Sequence, residues 1–219
     1  LSLDYYLTED QSGLQLEEEL ELFLNMNGPK QSFLNGLFGG SETYWNGKYF
    51  DEQFNQIVIG FTPTANLRVS SQIRYEDVVD FANTRIGHSR RYGPSINYLW
   101  GTHMQLNLRH TLQQFDVDGG RLFTANLTDL KTTYQFSARS FLRFTLQYTD
   151  NERNQDLYIK AVQQKSKELT TQLLYSYKVN AATRFFIGYS DAGFQDDAYD
   201  TVEKTNRTLF AKFSYAWLP

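Results

Sequence analysis

The last strand of the sequence constrains the fold more than any other feature. Residues 209–219 alternate strictly in character, with two distinct faces. One face carries Leu209, Ala211, Phe213, Tyr215 and Trp217, and the other carries Phe210, Lys212, Ser214 and Ala216. A soluble protein would have to cover such an aromatic face, whereas a bacterial outer-membrane barrel exposes it to lipid and closes on its last strand. The ending therefore predicts a barrel in the bacterial outer membrane, with its C-terminal strand recognised by the barrel-assembly machinery.

The composition fits a membrane barrel and excludes a bundle of membrane-spanning helices. Mean hydropathy is −0.52, 21% of the residues are charged, and no run of about 18 apolar residues exists to form a spanning helix. Aromatic residues nevertheless make up 16% of the chain, with 15 Tyr and 17 Phe against 4 Pro and 0 Cys. Alternation of lipid-facing and lumen-facing residues produces this average. The net charge of −4 gives no signature of nucleic-acid binding.

Period-two alternation runs through nearly the whole chain. It is clearest in residues 103–115, 141–149 and 169–178, which reach the length of about 9 to 11 residues that a tilted strand needs to cross a bilayer. We count about twelve strands, or thirteen if residues 1–7 end a further strand, and barrel strand numbers are usually even. The sequence therefore predicts an all-β, antiparallel transmembrane β-barrel that forms a single domain over residues 1–219. A soluble β-sandwich is the remaining alternative fold.

Some segments deviate from this simple pattern. The apolar parity changes near Thr128 and Asp129, which predicts a β-bulge there or, less favoured, two short strands with a kink. Residues 31–45 are interrupted by glycines, so the assignment of a strand is weaker there. Short connections alternate with longer polar ones at 80–90, 150–167 and 191–205, as tight periplasmic turns alternate with external loops.

Several stretches of the chain resemble one bacterial family. They are Gly28-Pro-Lys-Gln-Ser-Phe33, Asp80-Phe-Ala-Asn-Thr-Arg-Ile-Gly87, Asp116-Val-Asp-Gly-Gly-Arg-Leu-Phe-Thr-Ala-Asn-Leu127, Ser140-Phe-Leu-Arg-Phe-Thr-Leu-Gln-Tyr148 and the C-terminal Phe-Ala-Lys-Phe-Ser-Tyr. In this order they resemble the family called domain of unknown function 5916, from residue 28 to the end. Its members are large outer-membrane proteins, often with an N-terminal domain similar to family 9 carbohydrate-binding modules. The resemblance implies that this chain is the C-terminal barrel part, and it supplies a location and an architecture rather than a reaction.

The candidate functional residues are charged side chains on the inward parity of the strands. They are Arg68, Arg74, Arg109, Lys131, Arg143, Lys178, Arg184, Lys212, Glu17, Glu19, Glu21, Glu76, Asp129 and Glu168. They could form a charged lumen that selects anionic or sugar-like solutes, or ion pairs that brace a blocked lumen. Both interpretations stay open, because the bore depends on the total strand number.

Aromatic residues on the other parity are expected to contact lipid or form the interfacial girdle rather than stack on sugars. They include Tyr98, Trp100, Tyr175, Tyr177, Phe213, Tyr215 and Trp217.

Patterns for catalysis and metal binding are sparse. His88, His103 and His110 lack the spacing of metal ligands, and the chain has 0 Cys. A Ser-His-Asp hydrolase at the barrel rim would need residues from different strands. Asp116-Val-Asp-Gly-Gly resembles the start of a calcium loop but lacks the later Glu, so a tight hairpin turn is favoured. We predict no catalytic residue, metal or cofactor.

The sequence therefore predicts a non-enzymatic conduit or envelope platform surrounded by outer-membrane lipid. The alternative is a surface binding or docking protein that recognises a carbohydrate or a partner protein through external loops or an N-terminal domain outside this sequence. No nucleic-acid partner is expected. Because the sequence begins at Leu1 without an initiator Met or secretory signal, we expect a mature form or, as favoured, the C-terminal part of a longer chain.

Overall fold

Twelve antiparallel strands form one sheet in a computed structural model of the chain. The structure describes residues 1–180 and 182–215. The strands are β1 (Ser2–Glu9), β2 (Gln15–Gly28), β3 (Ser32–Trp45), β4 (Lys48–Thr64), β5 (Leu67–Asp80), β6 (Arg85–Trp100), β7 (Met104–Val117), β8 (Gly120–Ser137), β9 (Ser140–Arg153), β10 (Lys165–Lys178), β11 (Thr183–Gln195) and β12 (Glu203–Tyr215). The predicted all-β architecture and strand number are confirmed, and the N-terminal segment is itself the first strand.

Helical structure plays a minor part in the described chain. A single-turn 3-10 helix, Gln155–Leu157, lies between β9 and β10. Among the described residues, no helix is long and apolar enough to cross a membrane.

The strands follow one another around the sheet in chain order, because each connection is short enough to make a hairpin. One end of the sheet, the turn end, has the connections 29–31, 65–66, 101–103 and 138–139, together with the link between β10 and β11. The opposite end, the loop end, has the connections 10–14, 46–47, 81–84, 118–119, 154–164 and 196–202. In the described chain β1 pairs only with β2 and β12 only with β11, so each has one backbone edge without a strand partner.

The period of two along each strand gives the sheet two faces of opposite character. The outer face exposes large apolar side chains, among them Leu22, Ile57, Ile73, Leu173, Ile187 and Phe213. The inner face carries most of the charged side chains of the strands. Residues 154–164 reach from β9 to the 81–84 turn, where the Arg85 guanidinium donates to the Leu157 carbonyl at 2.6 Å. Since this segment passes intervening strands β7 and β8, the sheet curls around its inner face.

The predicted β-bulge near Thr128 and Asp129 is wrong. The β7–β8 ladder runs without a register shift from the pair Met104 and Tyr134 to the pair Phe115 and Phe123, and the shift comes only after Phe115. The apolar residues of β8 change from odd to even positions for another reason. Near the loop end Phe123 and Leu127 lie on the inner face, where Phe123 stacks on Phe115, while the outer face turns polar with Thr124 and Asn126.

The connections at the loop end are shorter than predicted. Strands β5 and β6 leave only a turn at 81–84, and β9 to β12 extend until only 154–164 and 196–202 lie outside them. The polar ends of these strands resemble loops in the sequence. They remain strands because polar residues such as Lys167 and Asp150 pair across the ladder, with an ion pair at 3.3 Å, and extend it beyond the apolar band. Only 154–164 and 196–202 retain the predicted character of longer loops.

Glycine and phenylalanine pack against each other on the inner face. A phenylalanine ring covers a glycine on a neighbouring strand at four places: Phe54 over Gly39, Phe33 over Gly60, Phe115 over Gly87 and Phe210 over Gly188. The glycines leave room for rings that would otherwise project into the lumen. They also explain why residues 31–45 lack a clean alternation in sequence and yet form the continuous strand β3.

We expect Gly39→Ala to lower the free energy of unfolding by about 1–3 kcal/mol, because overpacking forces the neighbouring atoms to move. A Cβ at Gly39 would lie within 2.6 Å of the Phe54 ring and would also meet the Leu20 carbonyl. Gly93→Ala is the matched control, since the nearest atom there is 3.8 Å away. Denaturant titration of the folded protein in detergent measures both variants, and equal stability losses would contradict this packing.

Candidate functional site

The inner face is the candidate functional site, and its charges are sorted by sign. Acidic residues dominate β1 to β4, where the register aligns Asp4, Glu17, Glu19, Glu21 and Glu52 on this face. We call these residues the acidic wall. Basic residues dominate β5 to β12 and form the basic wall: Arg68, Arg74, Arg85, Arg91, Arg109, Lys131, Arg143, Arg153, Lys178, Arg184 and Lys212. Acidic residues on the same strands are fewer: Glu76, Asp80, Asp129, Glu168 and Glu203.

The structure thus brings the candidate lumen residues of the sequence to one face and adds others. Asp4, Glu52, Arg85, Arg91 and Arg153 lie on the same face but were not among the candidates. Arg85 and Arg153 stand at strand ends, in segments that look like loops in the sequence, whereas Asp4, Glu52 and Arg91 lie within β1, β4 and β6. Extending the parity of each strand beyond its apolar part would have found them.

A network of ion pairs and hydrogen bonds braces the inner face toward the loop end. The Glu76 carboxylate accepts from the Arg74 guanidinium at 2.5 Å and lies 3.7 Å from that of Arg91. The Gln72 side chain donates to the side-chain oxygen Oε1 of Gln56 at 2.7 Å, and the Arg74 guanidinium lies over the Phe54 ring, 5.4 Å from its centroid. These interactions connect β4, β5 and β6, and we call them the braced layer.

An apolar cluster lies beyond the braced layer, at the mouth of the loop end. Phe115, Val117 and Leu122 are buried there, and Val78, Phe123, Leu157 and Tyr158 pack against them. The rings of Phe115 and Phe123 stack with centroids 5.4 Å apart. Burial raises the pKa of the Tyr158 hydroxyl, which lies in the 154–164 loop outside the strands. We call this group the mouth cluster.

The 154–164 loop is tied to both of its neighbours. On one side the Ile159 amide donates to the Asn83 side chain at 3.3 Å. On the other side the amides of Gln164 and Lys165 donate to the Asp197 carboxylate at 2.5 and 2.7 Å. The loop therefore lies across part of the mouth instead of extending freely into solvent.

The predicted girdle residues lie on the outer face near the turn end. They are Tyr98, Trp100, Tyr175, Tyr177, Phe213 and Tyr215, while Trp217 lies outside the described residues. Toward the loop end the outer face carries Tyr75, Tyr92, Tyr148 and Tyr189, followed by charged residues. Aromatic residues thus bound the apolar band at both ends, as they do in membrane barrels.

The histidines and the Asp116 segment make local structural contacts. His88 pairs with Asp77 on the outer face at 2.6 Å, and the His110 ring lies 2.9 Å from the Thr128 hydroxyl. Asp116 pairs with Arg121 across a tight turn in which Gly119 and Gly120 adopt φ values of 102° and 127°. The hairpin interpretation of this segment is confirmed. Among the described residues, no cluster of three or more His, Asp or Glu side chains could hold a metal ion.

Comparison with solved structures places the sheet among outer-membrane barrels. OmpT, an outer membrane protein of Vibrio cholerae, is similar with a TM-score of 0.54 and 12% sequence identity over 94% of this chain and 66% of OmpT. A loop-deletion variant of OmpT gives a TM-score of 0.56 and 11% identity, with 94% and 65% covered. This chain therefore has the fold of an outer-membrane β-barrel. It spans about two thirds of the length of these proteins.

Comparisons of the amino-acid sequence with protein families and curated proteins identify no relative. No protein-family model matches the chain, and no curated protein matches it. The resemblance to the family called domain of unknown function 5916, the associated carbohydrate-binding-like domain and recognition by the barrel-assembly machinery therefore stay predictions.

We expect Leu157→Ala to release the loop from the mouth cluster. Loss of the packed side chain removes about 1 kcal/mol of apolar contact, which corresponds to roughly fivefold faster cleavage of the opened loop. Limited trypsin digestion after Lys160, followed by mass spectrometry, measures the rate. Ile159→Ala is the control, since the Ile159 side chain is 77% exposed. If both variants are cleaved at the wild-type rate, the cluster does not hold the loop.

Proposed function

We propose that the chain forms the wall of a non-enzymatic, water-filled conduit in the bacterial outer membrane, and that this conduit favours small anionic solutes. The observation that carries the proposal is the excess of basic side chains on the inner face of β5 to β12. Several of them have no carboxylate within 4.0 Å among the described residues, including Arg109, Lys131 and Arg143. Charges that served only to brace a blocked lumen would be expected to pair, since an unpaired buried charge is costly.

The separation of the two walls supports passage of ions. Opposed regions of negative and positive charge create a field across a lumen, and this field orients and selects solutes without binding them tightly. The sites of Glu19 and Glu21 on β2 lie on strands remote from those of Arg109 and Lys131 on β7 and β8. Their charges can therefore act on opposite sides of a passing solute.

The position of the histidines supports a role without chemical conversion. His88 and His110 face outward, and His103 stands at the turn between β6 and β7, where its ring lies 2.9 Å from the Gln135 carbonyl oxygen. An imidazole base for a Ser-His-Asp hydrolase thus has no place on the inner face of the described chain.

The alternative of a surface docking protein depends on free external loops. The two longer loops instead bind each other through the Asp197 carboxylate, which accepts from the amides of Gln164 and Lys165. This contact favours the conduit over docking through these loops.

Planar-bilayer recordings of the purified protein test the proposal. We expect single-channel conductance with a preference for anions at 0.1 M salt that fades at 1 M, because the screening length falls from about 10 Å to about 3 Å. A barrel that conducts no ions would contradict the conduit and leave docking as the function.

We also expect the double variant Glu19→Gln/Glu21→Gln to increase the anion-to-cation permeability ratio by about twofold, since it removes negative charge from the lumen. Reversal potentials in a salt gradient give this ratio. The variant Glu18→Gln/Glu42→Gln is the matched control, because these two residues face each other on the outer side of the same strands. An equal change in the control would mean that the acidic wall does not face the conducting path.

A further inference from the structure

A pocket at mid-height on the inner face contains charges that the protein itself does not pair. It has a volume of about 360 Å³, within the range of small-molecule sites. Its lining includes Asn97, Asn107, Arg109, Asp129, Lys131 and Thr145. We call it the mid-height pocket.

The positions of these side chains follow from the ladders of β6 to β9. Arg109 stands opposite Asp129, and Lys131 stands opposite Asn107 on one side and Thr145 on the other. Although Arg109 and Asp129 are cross-strand partners, no carboxylate lies within 4.0 Å of the Arg109 or Lys131 nitrogens in residues 1–180 and 182–215. Two cations and one carboxylate therefore present their hydrogen-bonding groups to the lumen.

The mid-height pocket differs from the braced layer a few residues nearer the loop end. There, Glu76 takes up both neighbouring guanidinium groups and the glutamines bond to one another. The sheet thus pairs its inner charges in the braced layer, and this pairing makes the wall rigid there. In the mid-height pocket, the side chains of Arg109, Asp129 and Lys131 can instead form hydrogen bonds with water or with a solute.

We propose that the mid-height pocket is a binding subsite for a small polyhydroxylated anion, such as a sugar acid or a sugar phosphate. This inference rests on the proposed conduit function. Arg109 offers a planar pair of donors that matches a carboxylate or phosphate, and Lys131 adds a second positive charge. Asp129 accepts hydrogen bonds from hydroxyl groups, and the amides of Asn97 and Asn107 both donate and accept.

The mixture of groups distinguishes this ligand class from simpler ones. Two cations against one carboxylate favour an anion over an uncharged sugar. The carboxylate of Asp129 would repel a bare inorganic anion, whereas hydroxyl groups on the ligand would satisfy it. Binding at an open wall stays weak enough for the solute to leave, as transport requires.

Block of the chloride current tests the subsite in bilayers that contain the full protein. Gluconate, glucose 6-phosphate and glucose are added separately, and the half-blocking concentration of each is measured. We expect block by one or both anions and not by glucose. In Arg109→Gln/Lys131→Gln the half-blocking concentration should rise at least about tenfold, the loss that corresponds to one charged hydrogen bond. The matched control is Lys165→Gln/Arg207→Gln, with the same charge change on the outer face, and its block should equal that of the wild type.

Each other outcome has a separate meaning. Conductance without block by either anion, or block that is unchanged in Arg109→Gln/Lys131→Gln, overturns the subsite and leaves the conduit intact. Block by glucose as strong as block by the anions overturns the assignment of an anionic ligand. Equal weakening in the outer-face control would show a general effect of charge and would also overturn the subsite. A protein that conducts no ions overturns the conduit and the subsite together.

Discussion

Backbone hydrogen bonding in lipid is the constraint on which the rest of the structure depends. The hydrocarbon core offers no partner to a free N–H or C=O, so strands can cross it only when each pairs with its neighbours. This requirement explains the uninterrupted order from β1 to β12. It also applies to the outer edges of β1 and β12, which in a bilayer have to pair with each other or with further strands. The side chains are free to specialise because the backbone is already satisfied.

The sequence predicts the outer face well because lipid imposes one simple rule on it. Leu20 and Leu22 alternate with Glu19 and Glu21 on β2, and the ladder puts each pair on the expected face. The rule fails where the strand leaves the apolar band. On β8 the outer residues become polar, while Phe123 and Leu127 lie on the inner face. The alternation continues there, but the apolar residues now face inward and the polar residues face outward. The sequence does not show how deep a residue lies in the membrane. A strand that leaves the apolar band therefore looks in the sequence like a bulge or a loop.

In the candidate site, the sequence shows which face a residue lies on but not always which residue it pairs with. Parity along one strand is local, so the sequence can place Arg74 and Arg109 on a shared face. Pairing depends partly on neighbours along the same strand and partly on the register between strands. Arg74 meets Glu76 on its own strand and Gln56 on β4, whereas Arg109 lies opposite Asp129 without an ion pair within 4.0 Å. Glu76, two residues after Arg74 on the same face, is visible in the sequence, whereas the position of Asp129 opposite Arg109 and the gap between them are visible only in the structure. The proposal for the mid-height pocket depends on this difference.

Charges on the inner face are paired in the braced layer and unpaired in the mid-height pocket, and this difference affects how a solute would enter. Arg109 and Lys131 are exposed on the inner face, and unpaired charges are tolerated only where water or a polar solute solvates them. Hydration is therefore favoured at mid-height. Toward the loop end Arg74, Arg85 and Arg91 pair with carboxylates, and beyond them Phe115, Val117 and Leu122 are buried in the mouth cluster. In the proposed conduit, a solute that enters from this end would meet this apolar cluster before it meets Arg109 and Lys131. The mouth cluster would then limit the size of entering solutes, and the mid-height residues would act on their charge.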